Sequence, residues 1–364
     1  MATILMIGTN KGLFLARGDD DRASWRVEPV RYPMNEVYAV AVDRRHPTAR
    51  LHASLTSSHF GPTVVTSNDL GATWQEPDHA PVAFPSDTTE ALRRVWAIAP
   101  GPADQPEVVY AGTEPSALFR SADGGRTYEM IRPLWDHPHR PLWGEGFGGQ
   151  AIHTVLPHPN DPAAMLVAMS TGGVYRTSDA GATWSATNTG IKAYFLPDPW
   201  PEQGQCVHKV TRDAADPDRL YAQNHHGVYR SDDGGATWTS IADGLPTDFG
   251  FTIVAHPHRG DVVYTFPIEA DGMRFPPSKQ CAVYRSIDAG TTWKALRVGL
   301  PETPFFGAVL RDALCTDDAR TAGVYFGTRT GEVYASRDEG DSWQLVAAHL
   351  PDVLCVRAAT LEQP

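Results

Sequence analysis

Residues 205–241 alternate apolar and polar side chains in four short runs: QCVHKVT (205–211), RLYAQN (219–224), VYRS (228–231) and TWTSI (237–241). A period of two, rich in Val, Tyr, Thr and Trp, predicts pleated strands. The breaks between the runs carry the Asp, Gly, Pro and His residues of short connections. The same four-strand pattern recurs along the chain, and no stretch sustains a helical period for long. Four-stranded sheets packed radially satisfy such a pattern, because each twisted sheet buries both faces against its neighbours and leaves only short edges.

One turn sequence punctuates the pattern six times: SNDLGATW (67–74), SADGGRTY (121–128), TSDAGATW (177–184), SDDGGATW (231–238), SIDAGTTW (286–293) and SRDEGDSW (336–343). Its central aspartates, Asp69, Asp123, Asp179, Asp233, Asp288 and Asp338, are spaced 54, 56, 54, 55 and 50 residues apart, so one supersecondary unit repeats throughout. A worn seventh copy ends at Ser24-Trp25, 49 residues before Trp74. Seven units of about 52 residues fill the chain of 364 as a single domain spanning 1–364. The Asp side chain can accept bonds from the N–H groups of its own turn, the following Gly allows positive φ, and the Trp or Tyr buries a ring between units.

These turns are Asp-boxes, and over its full length the chain resembles the BNR-repeat propellers: sialidases, two-propeller xyloglucanases, sortilin-type receptors and the photosystem II assembly factor. More narrowly it is similar to bacterial single propellers labelled exo-alpha-sialidase-like. The resemblance implies an all-β, seven-bladed β-propeller of four-stranded antiparallel blades. Sialidases are six-bladed and carry an arginine triad with an early Arg-Ile-Pro element. Here the count is seven, and the nearest string is Arg31-Tyr-Pro33.

The chain starts inside a repeat. ILMIG (4–8) and GLFLA (12–16) match second and third strands, which leaves VLCVRAA (353–359) to supply the missing first strand. The two ends are therefore expected to share one blade and close the ring.

Composition narrows the partners. A formal charge of −12 and scattered Lys and Arg argue against a nucleic-acid or anionic-membrane surface. No apolar stretch approaches 18 residues, so no membrane span is expected. The start MATILMIGTNKG lacks a basic leader and a small-residue cleavage site, and four cysteines show neither CxxC spacing nor disulfide density; a reduced, cytoplasmic protein is the expectation. The sequence leaves the oligomeric state open.

Long connections mark one face. Residues 130–150, 188–205 and 267–281 far exceed what turns require, which places the expected functional sector around the third to fifth turn copies. Aligning first strands puts Tyr38, Trp96, His153, His208 and Phe251 at one register of the innermost strand. His153 and His208 there, with His225 from the NHHG loop (224–227), form a candidate divalent-metal set for zinc, manganese or iron. Metal-free hydrogen bonding in the channel wall is the alternative for the two strand histidines.

Glu36, Glu145, Glu202, Asp248 and Glu269 lie in or near the same loops. Glu145 and Glu202 are the candidate catalytic carboxylates, with Arg274 and Arg311 as holders of an anionic substrate. The leading expectation is an enzyme using metal-assisted hydrolysis or elimination on a small polar molecule. A non-catalytic binding or assembly propeller is the alternative, and a glycoside hydrolase with paired carboxylates is a further one. Cys206 reads as a small core residue, and Trp135, Trp143 and Trp200 as either ligand-stacking or loop-pinning groups.

Overall fold

The computed structural model describes residues 2–146, 149–270 and 272–361. Seven antiparallel sheets are arranged as a β-propeller. Blade one is the shared blade: Val353–Leu361 pairs with Ala2–Thr9, which pairs with Gly12–Gly18, which pairs with Trp25–Val27. Ring closure thus rests on eight residue pairs between the two ends, from Ala2↔Leu361 to Thr9↔Val353. Both end strands run longer than the sequence pattern suggests.

Blades three to seven begin with the inner strands Arg94–Pro100, Ile152–Pro157, Val207–Arg212, Gly250–Ala255 and Leu314–Thr316. Each continues outward through three more strands. Blade two departs from the expected four strands. It holds Val40–Asp43, Arg50–Ser57 and Gly61–Ser67, and its outer edge is reduced to one bridge between Thr66 and Gln75. Pro77, Pro81 and Pro85 follow directly, and prolines cannot donate to a ladder.

The repeated turn works as a small hydrogen-bonded unit. In blade five Ser231 Oγ donates to Asp233 Oδ1 at 2.7 Å and accepts from the Gly235 N–H at 2.8 Å. The Thr237 N–H and hydroxyl donate to the two oxygens of Asp233 at 2.9 and 2.6 Å. Trp238 is buried, and its Nε1–H donates to the Thr187 carbonyl of the preceding blade at 2.9 Å. Trp293 makes the equivalent bond to Ile241, 2.9 Å. The motif therefore shapes its own turn and ties adjacent blades together.

Hydrophobic clusters lie between blades. One joins Leu166, Ala168 and Val174 of blade four to Val210, Leu220, Ala222 and Tyr229 of blade five. The turn at His256-Pro257 is capped locally: His256 Nδ1 accepts the N–H groups of His258 and Arg259. Helical structure among the described residues is confined to single turns in the long connections, Arg132–Trp135, Arg140–Leu142 and Pro277–Lys279. Among the described residues no helix is long and apolar enough to cross a membrane.

Candidate functional site

A cavity of about 860 Å³ opens where the channel meets the long connections. Of the aligned inner-strand positions, Tyr38, Trp96, His208 and Phe251 line it. Tyr38 and Trp96 are in ring contact at 4.6 Å, and His208 and Phe251 at 5.0 Å.

The fifth aligned residue, His153, is absent from the lining. Its Nε2 donates to the Val207 carbonyl at 2.9 Å and its Nδ1 accepts from Thr154 Oγ1 at 3.1 Å, so both ring nitrogens are engaged inside the wall. His208 repeats the first of these bonds one blade on: its Nδ1 donates to the Gly250 carbonyl at 2.6 Å. That bond leaves the Nε2 lone pair directed elsewhere, and it lies 3.5 Å from Cys206 Sγ. Burial, reinforced by the positive charge of Arg311, pushes both imidazoles well below their ordinary range, so both are neutral near pH 7.

His225 reaches the same place from the hairpin between Leu220–Asn224 and Val228–Ser231. Its backbone N–H donates to the Cys206 carbonyl at 2.9 Å, and its ring lies 5.7 Å from that of His208. One potential ligand atom each from Cys206, His208 and His225 falls within 4.8 Å of the others. The structure thus brings together two of the three histidines singled out in the sequence. Cys206, read there as a core residue, occupies the place expected for His153. The signal is its two-residue spacing from His208 in extended backbone, which puts both side chains on one face; the general preference of strand cysteines for core positions outweighs that signal in the sequence alone.

Arg311 spans the channel. Its Nη2 donates to Ser170 Oγ at 3.3 Å, its guanidinium lies 5.6 Å from the Trp96 ring and 5.5 Å from Phe251, and its Nε has no hydrogen-bond partner. Burial pushes its pKa down, against the opposing pull of Cys206 and Asp312. Arg274 also lies 5.6 Å from the Phe251 ring and lines the cavity.

The two carboxylates paired from the sequence separate. Glu145 lines the mouth, 3.6 Å from Arg93. Glu202 is exposed and lies outside the lining; its backbone carbonyl accepts from Asn188 Nδ2 at 3.0 Å. Glu36, Asp248 and Glu269 also lie outside the lining, and Glu36 accepts from Arg94 Nε at 3.0 Å.

Two wall carboxylates were missed. Glu114, at the end of a second strand, is buried and accepts from Trp96 Nε1 at 2.8 Å and Arg94 Nη1 at 3.3 Å. Asp312 accepts from Lys209 Nζ at 2.6 Å and from Arg357. Burial would raise its carboxyl, but these two cations hold it far below the ordinary carboxylate range. Neither residue sits in a motif, and their partners come from other strands.

The long connections divide in function. Trp143 donates through Nε1 to the Tyr175 hydroxyl at 2.8 Å, and Arg140 lies 3.4 Å over the Trp135 ring, so these two indoles pin residues 130–150. Trp200 is instead 52% exposed, with Tyr194 and Phe195 exposed nearby in sequence, and Phe195 lines the cavity.

No family model matches the chain. Among curated proteins it is similar to a xyloglucanase of Hypocrea jecorina, 26% identical over 241 residues covering 63% of this chain and 24% of that protein. It is also similar to a xyloglucanase of a Paenibacillus species, 30% identical over 170 residues, 43% of this chain and 15% of that protein. The chain spans a quarter or less of the length of these relatives. Among solved structures, an ancestral GH74 enzyme matches with TM-score 0.57 at 18% identity, over 86% of this chain and 38% of that one. YCF48 bound to D1 peptide matches with TM-score 0.52 at 16% identity, over 85% and 81% respectively. At those identities the structural matches establish a shared propeller fold, and the chain stands as one seven-bladed propeller with a cavity of charged and aromatic side chains at its channel mouth.

Proposed function

We propose that this propeller is a glycoside hydrolase that takes a saccharide bearing an acidic group into the channel-mouth cavity. What supports the reading is one juxtaposition: Glu114 and Glu145 share a cavity with Arg311 and with Phe195, an exposed ring of a connection that also exposes Tyr194 and Trp200. Exposed aromatic faces suit sugar rings, and a guanidinium that lines the cavity suits a substrate carboxylate. The xyloglucanase relatives favour glycosidic chemistry over metal-assisted hydrolysis or elimination on a small molecule.

Hydrolysis of a glycosidic bond needs one carboxyl group to move a proton at the leaving oxygen and a second to act opposite an oxocarbenium-like centre. Glu145, exposed at the mouth, is the proton carrier in this scheme. Glu114, fixed by Trp96 and Arg94, is the stabilising carboxylate. Arg311 orients the acidic substituent, with Arg274 beside it.

The test is a panel of chromogenic aryl glycosides, neutral (glucoside, xyloside) and acidic (glucuronide, sialoside), together with xyloglucan oligosaccharides. Turnover of an acidic member is expected. Glu114→Gln and Glu145→Gln should each lower kcat by about 100-fold or more, and Arg311→Met should raise KM chiefly for the acidic substrate. Turnover of none of them would overturn the reading. A binding propeller is the second reading, favoured by one observation: the YCF48 match covers 81% of that chain, against 38% for the GH74 enzyme. Saturable saccharide or peptide binding without turnover would establish it.

A further inference from the structure

Cys206, His208 and His225 are not used by the glycan chemistry above, yet they converge on the cavity wall. We propose that these three side chains bind one zinc ion, with its fourth coordination position open to the cavity.

Distance is the first argument. A tetrahedral zinc with a thiolate at about 2.3 Å and an imidazole at about 2.05 Å separates sulfur from nitrogen by about 3.5 Å. Cys206 Sγ and His208 Nε2 are 3.5 Å apart. The third donor, on His225, lies within 4.8 Å of both and sits on a hairpin loop, where side-chain rotation closes the remaining gap.

The second argument is orientation. A metal-binding imidazole usually donates its other ring N–H to a carbonyl or carboxylate, which fixes the tautomer and aims the free lone pair. His208 does this through Nδ1 and the Gly250 carbonyl. His153 has the same inter-blade bond but spends its second nitrogen on Thr154, and it lies outside the lining of this cavity. His208 alone of the two is therefore equipped to bind a metal. The Cys206 carbonyl also accepts the His225 N–H, so the hairpin and the strand that present the three ligands are tied together.

The donor set selects the ion. A thiolate with two imidazoles suits zinc and disfavours manganese, magnesium and calcium, which prefer oxygen. On binding, the Cys206 S–H bond breaks, its proton passes to solvent and the sulfur electron pair forms the Zn–S bond. The thiolate offsets one of the two metal charges. Arg311 and Arg274 line the same cavity, so the open position favours an anionic ligand.

The test is cobalt titration of the chelator-stripped full chain, read by absorption and by isothermal calorimetry with zinc. One equivalent of Co²⁺ should give the near-ultraviolet thiolate charge-transfer band and the visible bands of a tetrahedral site, both bleached by Zn²⁺. Cys206→Ser should abolish the charge-transfer band, and His225→Ala should weaken binding at least tenfold. Cys281→Ser, a buried thiol outside the cavity, should change neither. His208→Ala also removes the Gly250 bond and can fail to fold, whereas the His225 ring comes from a loop, so His225→Ala keeps the test decisive. Absence of the band at ten equivalents of Co²⁺, its persistence in Cys206→Ser, or uptake of cuprous ion without zinc would overturn the assignment. None of these readouts depends on glycoside turnover, so either proposal can fail alone.

Discussion

His208 joins blade five to blade six through a 2.6 Å hydrogen bond from its imidazole Nδ1 to the Gly250 carbonyl. His153 joins blade four to blade five in the same way, through Val207. In a ring of sheets the inner strands do not hydrogen-bond to one another along a ladder, so side chains that reach a neighbour's carbonyl hold the channel wall together. His153→Ala should lower stability by about 1–3 kcal/mol, because the buried Val207 carbonyl loses its partner. Denaturant titration measures the loss. The cobalt spectrum of the same variant should remain that of the wild-type protein.

His52 lies fully buried in blade two, and neither ring nitrogen has a hydrogen-bond partner. Burial pushes its pKa down to about 4, with Asp43 opposing. The unfolded chain binds a proton near pH 6.5 while the folded chain stays neutral, so stability falls as pH drops from about 6.5 to about 4. This single group accounts for about 3 kcal/mol over that window. His153 and His208, shifted in the same direction, add to it. Urea unfolding at pH 7 and pH 4.5 should show the difference, and His52→Leu should shrink it without loss at pH 7.

Asp312 accepts from Lys209 of blade five and from Arg357 of the closing strand, so one carboxylate links a channel wall to the shared blade. Removing it leaves two cations facing each other in a buried setting. Asp312→Ala should cost about 3–5 kcal/mol. Thermal unfolding checks this; a cost under 1 kcal/mol would show that water replaces the carboxylate.

Gly190 and Gly244 have similar positive φ, 97° and 89°, but different surroundings. A Cβ on Gly190 would stand 2.0 Å from the Trp238 carbonyl oxygen, whereas nothing lies within 4 Å of one on Gly244. Gly244→Ala should cost about 1 kcal/mol for the left-handed conformation alone. Gly190→Ala must also displace Trp238 at the end of a repeated turn, so its loss should be clearly larger. A pair of melting curves separates the two contributions.

Much of the fold was legible before any coordinates. Six turns at near-constant spacing fixed the unit, the half-repeat at the start and the apolar run at the end gave the shared blade, and the strand period followed from pleating. Only blade two departs, where Pro77, Pro81 and Pro85 strip the outer edge of donors. The candidate site was legible in outline, through its face and its inner-strand register. Its membership was not. Glu114 and Asp312 are ordinary strand-end carboxylates until Trp96, Arg94, Lys209 and Arg357 arrive from elsewhere. Glu202 sits in the right connection, but the path of that connection turns it outward.

By itself the sequence determined the repeating unit, the number of blades and the way the ring closes, because each depends on local turn chemistry and on a period of two. Tertiary structure decided which of two equivalent histidines faces the cavity. His153 and His208 occupy the same register and make the same bond to the next blade, yet Thr154 takes the second nitrogen of one and Cys206 stands beside that of the other. That choice depends on distances between blades, and local pattern carries no information about them.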